Sequence, residues 1–207
     1  MGQVKPVKTE SFLFKIKTAI LLVFLSSLAS SASTKIIFKI FPERYVNPDL
    51  VFLLTKSNLY IEYFADGLIF VALAIFLFFY AKKHLNRLPF FVSTVSIMYI
   101  FQSFFKILTP MMRPTGSDLP SHGLFRTYLQ QPGMFPSGHI GLVATLYFLI
   151  DGGENRNLKT LFLAFLILET VTMVISRGHY SIDAVGGILL AYFVVNETKK
   201  LTRLSQN

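Results

Sequence analysis

Residues 176–187 read SRGHYSIDAVGG, and they stand between two apolar runs, LFLAFLILETVTMVI at 161–175 and ILLAYFVV at 188–195. A helix satisfies its backbone hydrogen bonds internally, so apolar runs of this kind predict helices in a membrane. The stretch between them holds Arg177, His179 and Asp183. Ionisable side chains are costly at membrane depth and mark functional sites when they occur there. The pattern therefore predicts two neighbouring helices with a polar site at their junction.

Composition supports a membrane protein over the whole chain. Of 207 residues 53% are hydrophobic and 15% charged, and the mean hydropathy of +0.55 is too high for an ordinary soluble domain. The net charge of +9 comes from basic residues at the ends of apolar runs, which suits membrane topology and anionic lipid rather than nucleic acid. The absence of cysteine excludes disulfides and thiolate sites. We expect residues 1–207 to form a single integral membrane domain.

Crossing a bilayer of about 30 Å takes about 20 helical residues. Six apolar runs predict an all-α, polytopic bundle of about six transmembrane helices: about Lys17–Ala32, Leu59–Ala81, Leu88–Thr109, Ser137–Ile150, Leu161–Ile175 and Ile182–Val195. The first run follows several lysines and precedes ASSAS at 29–33, so a cleavable signal peptide is an alternative reading of it.

The basic residues also predict the orientation of the helices. Loops and tails on one side carry 12 Lys and Arg residues, and those on the other side carry 8. Because loops rich in Lys and Arg stay in the cytoplasm, both tails, 1–16 and 197–207, are predicted to be cytoplasmic. The loop after the third span and the 176–182 segment then share the periplasmic, extracellular or luminal face. Residues 115–135 of that loop are long enough to cover a site there.

Three polar clusters fall on that face. In KILTPMMRP at 106–114, Lys106 and Arg113 are two cations at the end of a span, which either bind an anion or anchor the helix end among headgroups. In FPSGHIG at 135–141, Ser137 is a helix cap, Gly138 permits close approach to the backbone, and His139 falls on the first turn. Free N–H groups at such a helix start attract phosphate, although an ordinary cap with a surface histidine would look alike.

In the third cluster, His179 and Asp183 are four residues apart and would share one face of a helix. The carboxylate then fixes one ring nitrogen and leaves the other nucleophilic, with Arg177 as a third cation. A buried structural pair with a snorkelling arginine is the alternative. Together, three cations, two histidines and an orienting carboxylate suit phosphoryl transfer, which needs positioning, charge stabilisation, a nucleophile and an acid.

Three acidic residues within the spans have alternative roles. Glu62 and Asp66 either select a cationic headgroup or balance Lys106 or Arg113, and we favour balance. Glu169 lies in the middle of the fifth predicted span. It either lines a headgroup pocket or pairs with a cation, or it is a protonated carboxyl bonded to a neighbouring helix.

The clusters resemble the type 2 phosphatidic acid phosphatase superfamily of membrane enzymes. Its pattern is Lys, six residues, Arg-Pro; then Pro-Ser-Gly-His; then Ser-Arg, five residues, His, three residues, Asp. KILTPMMRP and PSGH match fully, and the similarity spans a catalytic core of about residues 60–195. The resemblance implies a six-helix bundle that hydrolyses a phosphate monoester or diphosphate of a lipid, without metal or other cofactor. The implied partners are a lipid phosphate substrate and membrane lipids.

The resemblance also implies residue roles. His179 would attack phosphorus to form a phosphohistidine, Asp183 would orient His179, and His139 would protonate the leaving group. The phosphoryl group would be held by Lys106, Arg113, Ser137, Gly138 and Arg177.

The third motif departs from the phosphatase pattern. Only Gly178 separates Arg177 from His179, where the family has five residues, so Arg177 either reaches phosphate by another path or has lost that role. HYSID also resembles the His-Tyr-(Ser/Thr)-x-Asp segment of sphingomyelin synthases, which pass a phosphoryl headgroup to a lipid alcohol. A lipid headgroup phosphotransferase is therefore the alternative function.

Overall fold

The computed structural model describes residues 9–41, 46–114, 134–153 and 155–204, and within these ranges the chain is helical, with no strand. The all-α expectation is thus confirmed for this part of the chain. A short 3₁₀ helix, Leu50–Leu53, precedes the second long helix. The long helices are α1 Thr9–Ile40, α2 Leu59–Ile75, α3 Leu88–Leu108, α4 Gly138–Leu149, α5 Arg156–Ile175 and α6 Ser181–Leu204.

Each predicted span overlaps one of these helices, although the bounds differ, and α2 ends at Ile75 rather than at the predicted Ala81. Among the described residues, three helical stretches are long and apolar enough to cross a membrane, namely Phe12–Ile40, Leu59–Leu108 and Arg156–Ile175. The second stretch contains both α2 and α3, and Gly138–Leu149 is a shorter apolar helix. The fold is therefore compatible with a membrane protein, whereas a bundle of six membrane spans stays a prediction.

The chain reverses direction between α2 and α3. A π turn at Phe76–Tyr80 and a 3₁₀ turn at Ala81–Arg87 connect the two helices, and His84 has the non-helical angles φ −125° and ψ 42°. Tyr80 fixes this end of the bundle, because its hydroxyl donates to the Leu149 carbonyl and accepts from Asp151 N, both at 3.2 Å. The start of α2 and the end of α3 consequently lie together at the opposite end.

Helix α4 occupies the middle of the bundle and packs against α2, α3, α5 and α6. Eight of its residues are buried, which explains why a helix of only 12 residues is apolar on nearly every face: Gly138, Ile140, Gly141, Val143, Ala144, Thr145, Leu146 and Leu149. A polar face is not needed because the neighbouring helices shield α4 on all sides.

Glycines bring α4 and α6 into close contact. A Cβ on Gly187 would lie 2.7 Å from the Ser137 carbonyl oxygen, and a Cβ on Gly141 would lie 3.6 Å from the Gly187 carbonyl. Small residues at such contacts let helix backbones approach closely. The start of α4 is therefore positioned directly by the backbone of α6.

Helix α1 extends beyond the predicted first span at both ends. Ser33 and Thr34 donate to the Ser30 carbonyl, so these polar residues add hydrogen bonds within the helix, and the apolar sequence resumes at Ile36. The helix packs against α3 and is otherwise largely exposed. Most of the loop expected to cover the site, residues 115–133, lies outside the described residues, as do 1–8 and 205–207 of the tails.

Candidate active site

The three polar clusters meet at one end of the bundle. Gln102 on α3 donates from Nε2 to the Pro136 carbonyl at 3.0 Å, which joins α3 to the second cluster. Ser137 N donates to the Asp183 carbonyl at 3.0 Å, which joins the second cluster to the third. Arg113 and His139 both form ion pairs with α2. These contacts bring Lys106–Pro114, 135–141 and 176–183 together at one end of the bundle, and the side of the membrane that this end faces stays a prediction.

Arg113 and Lys106 provide positive charge at this end. Arg113 Nη2 donates to Glu62 Oε1, and both side chains are largely buried. This pair matches the favoured expectation that Glu62 balances one of the two cations. Lys106 is itself buried on the last turn of α3, one helical turn beyond Gln102.

The second cluster forms a capped helix start, as expected from its sequence. Ser137 is the N-cap of α4, and its Oγ accepts from Ile140 N at 3.3 Å. The backbone N–H groups of Gly138 and His139 have no acceptor among the described residues, which is the arrangement that attracts anions at helix starts. A Cβ on Gly138 would lie 2.6 Å from Gln102 Nε2, so a neighbouring side chain also requires glycine here.

His179 and Asp183 form the expected pair, although His179 precedes α6 rather than lying on it. Nδ1 of His179 lies 3.1 Å from Asp183 Oδ2, which also accepts from Tyr180 N at 3.0 Å. Because a carboxylate can only accept, Nδ1 carries the hydrogen and Nε2 keeps its lone pair. No described residue hydrogen-bonds to Nε2. The histidine is therefore oriented on one side and available on the other.

Burial lowers the pKa of His179 below its ordinary value of 6.5, and the nearby charges of His139 and Arg113 lower it further. The hydrogen bond and charge of Asp183 oppose this shift but do not outweigh the burial. The His179 imidazole is therefore neutral at neutral pH, which is the form that can act as a nucleophile.

His139 has different surroundings from His179. Its ring centre lies 6.0 Å from that of His179, but its side chain is 45% exposed and its Nε2 lies 3.3 Å from Asp66 Oδ1. The two rings are thus close together, one buried beside Asp183 and the other exposed beside Asp66. Asp66, considered with Glu62 as a headgroup selector or charge balance, is instead the partner of His139.

Arg177 contacts backbone carbonyls in the chain before α2. It adopts a left-handed conformation with φ 63°, and its Nη2 donates to the carbonyls of Phe52, at 2.5 Å, and of Thr55. The guanidinium also stacks over the Phe52 ring at 5.4 Å. These contacts hold the loop that carries His179, and the phosphate-binding role expected for Arg177 stays a prediction.

Sequence reasoning missed the contribution of residues 46–55. Asp49 accepts from Ser181 N at 2.6 Å and from Ser181 Oγ at 3.0 Å, so it caps the start of α6 next to the histidine. Asn47 N donates to the Tyr180 hydroxyl at 3.2 Å. These partners are more than 130 positions apart in the chain, and the local sequence around Asp49 carries no motif that would identify them.

Glu169 is fully buried in α5, and neither of its carboxyl oxygens has a hydrogen-bond partner among the described residues. It lies close enough to Asp66 for their charges to interact. The bond to a neighbouring helix, one of the alternatives considered for Glu169, is thus not found among the described residues. The described residues also contain no group of three or more His, Asp or Glu side chains able to hold a metal ion. Metal independence stays a prediction.

Comparison with known proteins gives no relative, since no protein-family model, curated protein or solved structure matches the chain.

Proposed function

We propose that the chain is an integral membrane lipid phosphatase that works through a phosphohistidine on His179. The observation that carries the proposal is the pair of imidazoles 6.0 Å apart, one buried, neutral and oriented by a carboxylate, the other exposed beside a carboxylate. A neutral imidazole oriented by a carboxylate can act as a nucleophile, and a second, exposed imidazole beside it can act as a general acid.

In the first step, Nε2 of His179 forms a bond to phosphorus while the bond from phosphorus to the leaving oxygen breaks. Reacting atoms are held about 3–3.5 Å apart before such a step, so the phosphorus must lie against Nε2 of His179 with the leaving oxygen on the side of His139. The leaving oxygen takes the proton of His139. The charge that builds on the phosphoryl oxygens is stabilised by Arg113, Lys106 and the free N–H groups at the start of α4.

In the second step, neutral His139 accepts a proton from water, whose oxygen attacks phosphorus as the bond to His179 breaks. Inorganic phosphate leaves, and both histidines return to their starting forms. Asp183 orients His179 throughout and stabilises the positive charge that the ring carries in the intermediate. Arg177 acts as a positioning residue through the carbonyls of Phe52 and Thr55.

The same proposal includes the membrane placement. All six helices cross the bilayer, the two tails are cytoplasmic, and the site faces the periplasmic, extracellular or luminal side. The central position of α4 is compatible with this placement, because this helix of 12 residues packs against four longer helices. The expected substrates carry a phosphoryl group at headgroup depth.

The experiment uses purified protein in mixed micelles with phosphatidic acid and other lipid phosphates, and it measures released phosphate. Replacement of His179 or His139 by Ala should abolish release, whereas His84→Gln, a matched loss of histidine at the other end of the bundle, should not. Trapping acid-labile phosphate on wild-type protein but not on His179→Ala identifies the intermediate. Wild-type release by either active-site variant would show that the mechanism is wrong.

A lipid headgroup phosphotransferase is the second candidate. The observation that favours it is Arg177, which is turned to backbone carbonyls after a spacing that differs from the phosphatase pattern. Both candidates share the chemistry up to the phosphohistidine, and only the acceptor differs. With labelled phospholipid and a lipid alcohol, new labelled lipid without free phosphate would favour transfer, and free phosphate would favour hydrolysis.

A further inference from the structure

The chain before α2 has one side that contacts the site loop and another that faces outward. Residues 50–54, called here the leucine turn, comprise the 3₁₀ helix Leu50–Leu53 and Leu54. Within the turn, the Phe52 ring lies 5.6 Å from that of Tyr180, and the Phe52 carbonyl accepts from Arg177. Asp49 anchors the start of the turn, because it accepts from Val51 N and from Ser181. The inner side is thus fixed by specific contacts.

The outer side is almost entirely apolar. Leu50, Leu53 and Leu54 are 81%, 80% and 90% exposed, although a leucine gains stability when it leaves water. The turn cannot rotate to bury them without breaking the contacts of Phe52 and Asp49. Clustered apolar exposure of this kind marks an interaction surface.

The position of the leucine turn indicates what contacts it. Helix α2 begins at Leu59, five residues after Leu54, and belongs to a stretch apolar enough to cross a membrane. Five residues reach at most about 18 Å, so the turn lies near the level at which that stretch would enter a bilayer. Tyr60, 84% exposed, suits the lipid–water interface, and the exposed Lys56 suits anionic headgroups.

We propose that the leucine turn inserts Leu50, Leu53 and Leu54 into the phospholipid leaflet at which α2 begins. The apolar surface is then continuous with the outward-facing side chains Tyr60, Tyr63 and Phe64 of α2. The turn touches the bilayer on one side and the loop of His179 on the other, so a lipid substrate in that leaflet lies beside the site. This inference rests on the membrane placement given under the proposed function.

The test exploits the absence of tryptophan from the chain, which makes an introduced tryptophan a unique fluorophore. Leu54→Trp protein is reconstituted in vesicles of phosphatidylcholine and phosphatidylglycerol. Its fluorescence is measured with phosphatidylcholine brominated either near the top or near the middle of the acyl chains. Leu168→Trp, on the outward face of α5, reports the membrane interior, and Lys200→Trp, near the end of α6, reports the opposite end of the bundle.

The expected result is stronger quenching of Leu54→Trp by the shallow bromines than by the deep ones, and the reverse for Leu168→Trp. Aqueous iodide should quench Leu54→Trp less than Lys200→Trp. Quenching of Leu168→Trp but not of Leu54→Trp by brominated lipid overturns insertion of the turn and leaves the membrane placement intact. Quenching of neither overturns both.

A second readout concerns the substrate. Leu50→Ser combined with Leu54→Ser should raise KM for long-chain phosphatidic acid in vesicles and leave turnover of a water-soluble phosphate monoester unchanged. An equal loss on both substrates would show that the turn acts only through the fold. If wild-type protein hydrolyses neither, the phosphatase proposal fails while the quenching result still decides the insertion.

Discussion

Gly187→Ala probes the contact that positions the start of α4. The added Cβ would lie 2.7 Å from the carbonyl oxygen of Ser137, and ordinary contacts begin at 3.4 Å, so α4 and α6 must separate by about 0.7 Å. The obstacle is backbone, which cannot rotate away. Overpacking of this kind costs about 1–3 kcal/mol. A displacement approaching 1 Å at catalytic groups lowers turnover by up to about 100-fold, and the proposed acid His139 lies only two residues after Ser137.

Gly141 and Gly67 extend the test to a series of three glycine-to-alanine substitutions in which the steric conflict of the added Cβ decreases. A Cβ on Gly141 would meet the flexible Met98 side chain, with Sδ at 3.3 Å, whereas a Cβ on Gly67 has nothing within 4 Å. We expect the loss of thermal stability and of phosphate release to be largest for Gly187→Ala and smaller for Gly141→Ala. Gly67→Ala should be neutral or stabilising, since Ala is the better helix former by about 1 kcal/mol.

The assays are thermal unfolding in detergent and phosphate release from phosphatidic acid, on all three variants and wild type. A Gly187→Ala protein as stable and as active as Gly67→Ala would refute the close approach of the two helices. A Gly187→Ala protein that loses activity but not stability would show that the displacement is confined to the start of α4 and leaves the packing of the other helices intact.

Three further predictions concern Asp183, His179 and Glu62. Asp183→Asn should lower phosphate release by about 10²–10⁴-fold with little change in thermal stability, because the amide keeps the size of the carboxylate but cannot enforce the productive tautomer of His179. Because burial lowers the pKa of His179 in the folded chain, the unfolded chain binds the proton first. The neutral His179 ring therefore makes its full contribution to the free energy of unfolding above pH 6.5, and this contribution is lost as the pH falls through the pKa of His179 in the folded chain. Thermal unfolding of His179→Gln should consequently be less sensitive to acid than that of wild type. Glu62→Gln should lower the free energy of unfolding, measured by chemical denaturation, by up to about 3–5 kcal/mol, because it removes the charge beside the largely buried Arg113. Loss of the exposed Glu197, as a control, should cost at most about 1 kcal/mol.

The helices were predictable because apolar runs and caps are local signals. Helices α3 and α5 begin or end within a few residues of the predicted spans, and the N-cap Ser137 is correctly placed next to α4. The ends of α1 and α6 were predicted too short. Both helices continue through residues that hydropathy does not favour, where local side-chain bonds such as Thr202 to the Thr198 carbonyl support them.

The sequence indicated which polar residues lie together at one end of the bundle, whereas several of their contacts were not predictable. The spacing of His179 and Asp183 predicts their pairing, since four residues bring two side chains together at a helix start. The partners of Arg177 could not be predicted, because carbonyls of distant residues have no sequence signature and a left-handed φ at a non-glycine residue depends on tertiary contacts. Asp66 was identified, but its pairing with His139 depends on how α2 and α4 pack.

The hydrogen bonds between Asp49 and Ser181 join positions 132 residues apart. During synthesis, Asp49 is made early, and it has no access to this partner until the final helix has begun to emerge. His179 and Asp183 are made in the same late interval. Asp49 can therefore support the loop of His179 only after every helix before α6 has been made.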